Sequence, residues 1–256
     1  MQWTTLMKKE MLQFWRNKQI IWVPLVMAIL AVMDPITYYF LPEILELSGG
    51  LPEGAVFEIP ELTANDSFLL GVESLNFMGV MLLLLISMGA IAAERKSGVA
   101  EMMYTKPIHP FSYMMSKWLA LLIVAAVALF TALAFNWYYT NVLYGELAFF
   151  VMLKTFGFYM VWLMFIVAVA IFFNAFLSKP GLVFASAAGV IFVMNLIDTF
   201  LGHKLSYFPN RLTSHLEEML YSQKVPGELY MTAGVILITV CVLLGGSTVI
   251  FKNKKI

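Results

Sequence analysis

The stretch WLALLIVAAVALFTALAFNWYYT, residues 118–140, carries no charged side chain at any position. Each residue of an α-helix advances about 1.5 Å, so about 20 apolar residues cross the roughly 30 Å hydrocarbon layer of a membrane. Residues 118–140 are long enough and apolar enough to do so. The stretch therefore predicts a transmembrane helix, and it sets the environment in which the rest of the chain folds.

Five further apolar runs of similar length lie on either side of it, and polar connections separate all of them. They fall near 20–40, 75–93, 147–173, 181–201 and 229–251. Of the 256 residues, 61% are hydrophobic and 12% are charged, whereas soluble domains average about 25% charged residues. We therefore predict an all-α integral membrane protein with six transmembrane helices. No internal repeat or low-complexity linker divides it, so residues 1–256 are expected to form a single transmembrane domain.

Basic residues are distributed unevenly among the connections between these six spans. Lys and Arg near a span resist translocation and mark its cytoplasmic end. Twelve of the sixteen lie before the first span, between the second and third, between the fourth and fifth, or after the sixth. The connection 41–74, by contrast, contains seven Asp or Glu and no Lys or Arg. We predict that both termini are cytoplasmic and that the protein is a multi-pass component of the cell (plasma) membrane.

Two of the connections predicted to lie outside are long, namely 41–74 and 202–228. Long connections between packed elements tend to carry structure or function of their own. In the second, four apolar residues recur at helical spacing: Leu212, Leu216, Met219 and Leu220. This spacing predicts a short helix at the outer interface, with a solvated cap as the alternative.

Residues 1–19 precede the first span and have an amphipathic pattern. Large apolar side chains share one stripe of a predicted helix: Trp3, Leu6, Met7, Met11, Phe14 and Trp15. Lys8, Lys9 and Arg16 lie mostly on the other side. We predict an interfacial helix in the inner headgroup layer, where its cations meet anionic lipid. Membrane anchoring and the docking of a partner are alternative roles for this helix.

A charged segment follows the second span and opens the predicted cytoplasmic connection 94–117. It reads Ala93-Glu94-Arg95-Lys96-Ser97-Gly98-Val99-Ala100-Glu101 and continues to Pro107, which would end a helix there. A short rigid helix at the membrane surface would transmit the displacement of a soluble partner, which a flexible loop would absorb. The alternative is a solvated loop without such a role.

The same residues carry a family resemblance. The amphipathic first helix, the long outer loop after the first span, the Glu94-Arg95-Lys96-Ser97-Gly98 segment and the later Thr105-Lys106-Pro107-Ile108 together resemble the ABC-2 type permease family. In that family a Glu-Arg-x-x-Gly segment followed by a Thr/Ser-x-Pro turn opens the cytoplasmic region that contacts the ATPase. The resemblance implies that six residues couple this chain to an ATPase: Glu94, Arg95, Lys96, Gly98, Glu101 and Pro107.

The resemblance also implies a function and partners. It implies the permease subunit of an ABC exporter, which forms the translocation pathway with a second permease chain in a homodimer or a paired heterodimer. The chain has no Gly-x-x-x-x-Gly-Lys-Ser/Thr motif that could hold nucleotide phosphates. We therefore expect a separate ABC-type ATPase subunit to bind ATP and Mg, with no cofactor and no enzymatic activity in this chain. A formal net charge of zero gives no indication of a nucleic-acid partner.

Two other functions are compatible with the composition of the chain. A membrane-embedded metal enzyme would use acids and histidines of the last outer loop: His203, His215, Glu217 and Glu218. Their spacing is not that of His-Glu-x-x-His, and the lone Cys241 provides no ligand pair, so no metal site is predicted. A non-transporting scaffold or regulatory subunit is the other alternative, and it has no distinguishing sequence signal.

Three ionisable residues fall in the outer third of the predicted spans: Asp34, Lys154 and Asp198. Such side chains are costly at membrane depth unless they are paired or reach water. We predict an intramembrane polar cluster in which Lys154 pairs with Asp34 or Asp198, with separate snorkelling of each residue as the alternative. Four amides are predicted to hydrogen-bond between spans: Asn76, Asn136, Asn174 and Asn195.

Overall fold

The computed structural model describes residues 2–47, 60–96 and 109–253, and within these ranges the chain is helical without any strand. Six helices are long and apolar enough to cross a membrane, which confirms the predicted fold class. Numbered in chain order, spans 1 to 6 are Gln19–Tyr39, Ala64–Arg95, Pro110–Leu143, Phe149–Phe176, Pro180–Leu201 and Gly227–Asn253. Shorter helices are the N-terminal helix Gln2–Arg16, the helix Leu41–Leu47, and the loop helix Leu212–Ser222.

Spans 3 and 4 form the centre of the bundle. In each of them 56% of the most apolar window is buried, against 17% in span 5. Span 1 packs mainly on span 3, and span 6 packs mainly on span 4. The exposed apolar faces of the outer spans suit a lipid environment, because water is absent there and apolar surface costs nothing.

Span 2 begins earlier than its hydropathy predicts, so the predicted outer loop 41–74 is partly wrong. Helix starts at Ala64, where the Thr63 side chain accepts a hydrogen bond from the Asp66 N–H and the Asp66 carboxylate accepts one from the Thr63 N–H. Ser67 and Phe68 are then fully buried. The boundary was missed because polar residues that are satisfied inside a bundle lower the hydropathy of a helix without ending it.

The predicted cytoplasmic connection 94–117 is also shorter than expected. Span 3 begins at Pro110, whose fixed φ and missing N–H suit the first position of a helix. Residues up to Lys117 therefore belong to span 3, and Lys117 is buried. Gly98, Glu101 and Pro107 lie in 97–108, outside the described residues.

Span 2 is irregular in two places. A π-helical turn occupies Leu75–Gly79, and the α-helix is interrupted at 88–91 before it resumes at Ala92–Lys96. We call 88–91 the break in span 2. Between the helix start and the π turn, Gly71 lies so close to span 1 that a Cβ built there would be 2.2 Å from the Ala31 carbonyl oxygen.

The two ends of the bundle are distinct. The N-terminal helix, Arg95, Tyr113 and Phe251 meet at one end, which we call the terminal end because the first and the last described helices both reach it. The opposite end holds the connections between spans 1 and 2, 3 and 4, and 5 and 6, and we call it the loop end. At the loop end the loop helix packs on spans 4 and 6. Its four predicted apolar residues, Leu212, Leu216, Met219 and Leu220, are all buried.

One side of the N-terminal helix packs against span 3. Leu6, Glu10 and Phe14, each four residues apart, are buried on this side, whereas Trp3 and Trp15 are exposed. The predicted stripe therefore divides, and only part of it packs on the protein. Packing on span 3 determines which part of the stripe is buried, because span 3 provides this helix with a charged partner as well as an apolar surface.

Candidate functional site

Four charged side chains meet at the terminal end, and we call them the charge cluster: Lys9, Glu10, Glu94 and Lys117. Lys117 Nζ lies 3.0 Å from Glu10 Oε1 and 2.9 Å from Glu94 Oε1. Lys9 Nζ lies 2.5 Å from Glu94 Oε1 and 3.3 Å from Glu10 Oε1. Each cation therefore contacts both carboxylates, and the cluster is electrically neutral.

The charge cluster is largely removed from solvent. Lys117 is 2% exposed, Glu10 5% and Glu94 8%. Burying a charge is expensive unless it is paired and hydrogen-bonded, and here the two cations and two anions satisfy this condition together. Burial alone would lower the pKa of Lys9, but the hydrogen bond to Glu94 and the attraction of both carboxylates outweigh it and raise that pKa above 10.5.

Aromatic side chains attach a fourth element, span 6, to the charge cluster. The Tyr113 hydroxyl donates to Glu94 Oε2 at 2.5 Å, and the Tyr113 ring stacks on Phe251 at 5.2 Å between ring centroids. The guanidinium carbon of Arg95 lies 5.4 Å from the centre of the same Phe251 ring. Phe251 belongs to the last turns of span 6. The end of span 6 is therefore fixed to spans 2 and 3 at the same place.

The break in span 2 lies just before Glu94, and span 4 satisfies its backbone groups. Asn174 Oδ1 accepts from the N–H groups of Ile91 at 3.1 Å and Ala92 at 3.0 Å. Its Nδ2 donates to the Ser87 carbonyl at 3.0 Å. One fully buried amide thus replaces helical hydrogen bonds on both sides of the break. Arg95 adds a bond to the Ala175 carbonyl at 2.7 Å.

The model of a family described as ABC-2 family transporter protein matches residues 58–251, well over half of the chain. The chain belongs to this ABC-2 transporter family. It is also similar to an uncharacterized transmembrane protein of Bacillus subtilis (strain 168), YxlG, with 24% identity over 215 residues, which cover 84% of this chain and 83% of that protein.

As an ABC-2 permease, the chain is the membrane-spanning component of a transporter. The family match begins after span 1, so it contains Glu94 and Lys117 but neither Lys9 nor Glu10. The charge cluster therefore joins the part of the permease that the family model describes to the N-terminal helix that precedes it.

The structure places two of the six predicted coupling residues in detail. Glu94 is buried within the charge cluster, and Arg95 lies between Ala175 and Phe251. Lys96 ends the short helix Ala92–Lys96. Gly98, Glu101 and Pro107 lie outside the described residues. The described contacts of Glu94 therefore lie within the bundle, to the N-terminal helix and to span 3.

The predicted intramembrane polar cluster is not brought together, and the predicted pairing of Lys154 is corrected. Asp34 accepts a hydrogen bond from Ser74. Asp198 accepts one from Asn210 at 3.3 Å and lies 3.9 Å from Arg211. Lys154 Nζ lies over its own helix neighbour Phe150, 5.2 Å from the ring centre. Asp34 and Asp198 each interact with a partner other than Lys154. These partners could not be predicted from the positions of the residues in the sequence.

Three of the four predicted interhelical amides do hydrogen-bond between elements of the permease. Asn136 Nδ2 donates to the Phe68 carbonyl at 2.9 Å, Asn174 holds the break in span 2, and Asn195 accepts from Asn210 at 2.9 Å. Sequence reasoning did not single out Glu10, Tyr113 or Lys117 as site residues. A signal was present for Glu10, because it lies between Leu6 and Phe14 on one helical face.

Proposed function

We propose that this permease is the membrane subunit of an exporter, that a separate ABC-type ATPase drives it, and that the ATPase binds at the terminal end beside residues 94–107. The observation that carries the proposal is the attachment of Glu94. This residue belongs to the short helix Ala92–Lys96 that follows the break in span 2, and it is bound to the N-terminal helix through Lys9 and to span 3 through Lys117. Membership of the ABC-2 family supports the same conclusion.

The geometry suggests how movement of the ATPase would reach the spans. A push on 94–107 would act on the Ala92–Lys96 helix, which the break separates from the rest of span 2. Because Glu94 contacts Lys9 and Lys117 and Tyr113 stacks on Phe251, that push would move the N-terminal helix and the ends of spans 3 and 6 together. Close-packed interfaces of this kind switch between discrete arrangements and do not deform continuously.

We further propose that the terminal end faces the cytoplasm and that the membrane is the plasma membrane. Nine of the thirteen Lys and Arg residues in the described ranges belong to the terminal end, as the positive-inside rule requires of a cytoplasmic face. In a Cys241→Ser background, Lys204→Cys at the loop end should react with a membrane-impermeant maleimide in intact cells. Lys252→Cys at the terminal end should react only after permeabilisation. Labelling in the reverse order would contradict this orientation.

A second permease chain is the remaining part of the proposal, and span 5 is its candidate contact. Span 5 is the least buried span, and four large apolar residues on it share one exposed face: Phe192, Val193, Leu196 and Phe200. In a Cys241→Ser background, Leu196→Cys is expected to form a disulfide-linked dimer in membranes, while Ile238→Cys on span 6 serves as an exposed control. Equal cross-linking of the two variants would contradict a specific interface at span 5.

Recovery of the ATPase tests the main proposal. The full chain, tagged and purified from membranes of its host, should retain a P-loop ATPase whose hydrolysis depends on the permease. Lys96→Ala and Glu101→Ala should each lower the amount of retained ATPase about tenfold, as loss of a contact worth more than about 1 kcal/mol would do. The matched control is Glu46→Ala, an exposed acid at the loop end.

Two results would overturn this proposal. Purification of a stable complex without any ATPase would favour the scaffold alternative. Undiminished ATPase in Lys96→Ala and Glu101→Ala would remove residues 94–107 as the contact, even if an ATPase were present.

A further inference from the structure

A cavity of about 400 Å³ opens at the loop end, far from the charge cluster. Its walls come from the start of span 2, the connection between spans 3 and 4, the first turns of span 4, and the end of the loop helix. Pockets that hold small ligands commonly measure about 300 to 1,000 Å³. The cavity is therefore large enough for a ligand of modest size, and nothing in the proposed function uses it.

Lys154 provides the positive charge in this cavity. In the described part of the chain its Nζ has a cation–π contact with Phe150 but no ion pair with any carboxylate. Lys154 lies on the second turn of span 4, close to membrane depth, where an ammonium group needs an anionic or strongly polar partner. The cavity beside it is the place where such a partner fits.

The remaining polar lining suits a phosphate group that carries an amine. Asn65 and Gln223 bring side-chain amides, which donate N–H groups to phosphate oxygens, from two different walls. Glu146 contributes a single carboxylate from the connection between spans 3 and 4. One cation and one anion in the same cavity match a zwitterion, whose phosphate would meet Lys154 and whose ammonium would meet Glu146.

The membrane side of the cavity indicates that the ligand is an amphiphile. Phe149, Phe150 and Leu153 are exposed on the first turns of span 4 and form an apolar surface next to Lys154. Acyl chains lie along such surfaces, while the headgroup stays at the level of the interfacial aromatic residues. We propose that this cavity binds the phosphate of an amine-bearing phospholipid, such as phosphatidylethanolamine, in the leaflet at the loop end.

Native mass spectrometry of the full chain in detergent tests the proposal, with four probes added separately: phosphatidylethanolamine, phosphatidic acid, diacylglycerol and inorganic phosphate. Lys154→Met should weaken the retention of phosphatidylethanolamine about tenfold, the loss expected when a charge-assisted hydrogen bond is removed. Lys154→Arg should retain the lipid, and Gln223→Ala on the opposite wall should weaken it to a lesser degree. Lys204→Met, an exposed loop-end lysine outside the cavity, is the matched control.

The other probes separate the possible sources of the phosphate. Diacylglycerol has the tails without the phosphate, so its retention should be equally weak in the wild type and in Lys154→Met. Glu146→Gln should remove the preference for phosphatidylethanolamine over phosphatidic acid, which has no amine. Unchanged lipid retention in Lys154→Met would overturn the proposal. Displacement of the lipid by inorganic phosphate would overturn it as well, because the site would then serve a free anion.

Discussion

Lys117 Nζ on span 3 lies 2.9 Å from Glu94 Oε1 on span 2, and both side chains are buried at the terminal end of the bundle. The pair is part of a neutral set, because Lys9 and Glu10 of the N-terminal helix complete it. Its position directly after the break in span 2 makes it the point at which movement of Glu94 would reach span 3.

Lys117→Met should destabilise the permease strongly. The change removes one of the two described cations that contact the buried Glu94 and Glu10, and breaking a buried ion pair costs about 3 to 5 kcal/mol. The free energy of unfolding in mixed detergent micelles measures the effect. Lys8→Met replaces an exposed lysine next to the charge cluster and should change stability by less than about 0.5 kcal/mol. Equal losses in the two variants would show that the buried pairing has no special role.

Coupling between the two members of the pair follows from the same geometry. Glu94→Gln should lower the free energy of unfolding much less in the Lys117→Met background than in the wild type. In that background the span 3 lysine that pairs with Glu94 is already absent. A coupling energy of about 1 kcal/mol or more is expected in the double-mutant cycle. Additive effects would indicate that Lys117 and Glu94 are stabilised independently.

Asn174→Ala should loosen the break in span 2. The change leaves the N–H groups of Ile91 and Ala92 without their acceptor, at a cost of about 1 to 3 kcal/mol for buried groups. Hydrogen exchange measured by mass spectrometry should accelerate in peptides that cover 88–95. Asn136→Ala, which removes a bond to Phe68 elsewhere in span 2, should leave exchange in these peptides at the wild-type rate. Faster exchange of these peptides in both variants would indicate general unfolding of span 2.

Gly71→Ala should be destabilising although alanine favours helices. A Cβ at this position would lie 2.2 Å from the Ala31 carbonyl oxygen and 2.4 Å from Asn136 Nδ2, so spans 1 and 3 must shift. Overpacking of this kind costs about 1 to 3 kcal/mol. Gly157→Ala is the matched control, since a Cβ there would meet nothing within 4 Å, and it should be neutral or slightly stabilising. Thermal unfolding of both variants in detergent distinguishes the two outcomes.

The contribution of Lys9 should depend on pH only in the alkaline range. Its pKa is raised above 10.5, so the folded protein holds this proton more tightly than the unfolded chain does. The stabilisation is therefore fully present below pH 10.5 and is lost as the pH rises through the higher folded value. The stability difference between the wild type and Lys9→Met should stay constant from about pH 7 to about pH 9 and should shrink once the pH rises above 10.5. A difference that disappears near neutral pH would contradict the pairing with Glu94.

Hydropathy predicted the spans well because each must satisfy its own backbone and bury or expose apolar surface over a fixed length. The predictions were less accurate where helices extend beyond the apolar windows, as at Ala64 and Pro110. There the chain stays helical because capping groups and proline favour it, and hydropathy does not register these contributions. The interhelical hydrogen bonds of Asn136 and Asn174 could be predicted, because an isolated amide in an apolar span needs a hydrogen-bond partner.

The sequence by itself determined that this chain is a six-span helical membrane protein, because length and apolarity of a segment are local properties. Its resemblance to the ABC-2 family rests on the order of its elements and, at the level of single residues, mainly on residues 93–108. Only the tertiary structure decided that Glu94 meets Lys9, Glu10 and Lys117, and that Lys154 meets neither Asp34 nor Asp198 among the described residues. The physical reason is that partners of a charge are selected by distance after the helices have packed. Lys9 and Glu94 are 85 positions apart in the chain, and no local pattern encodes their contact.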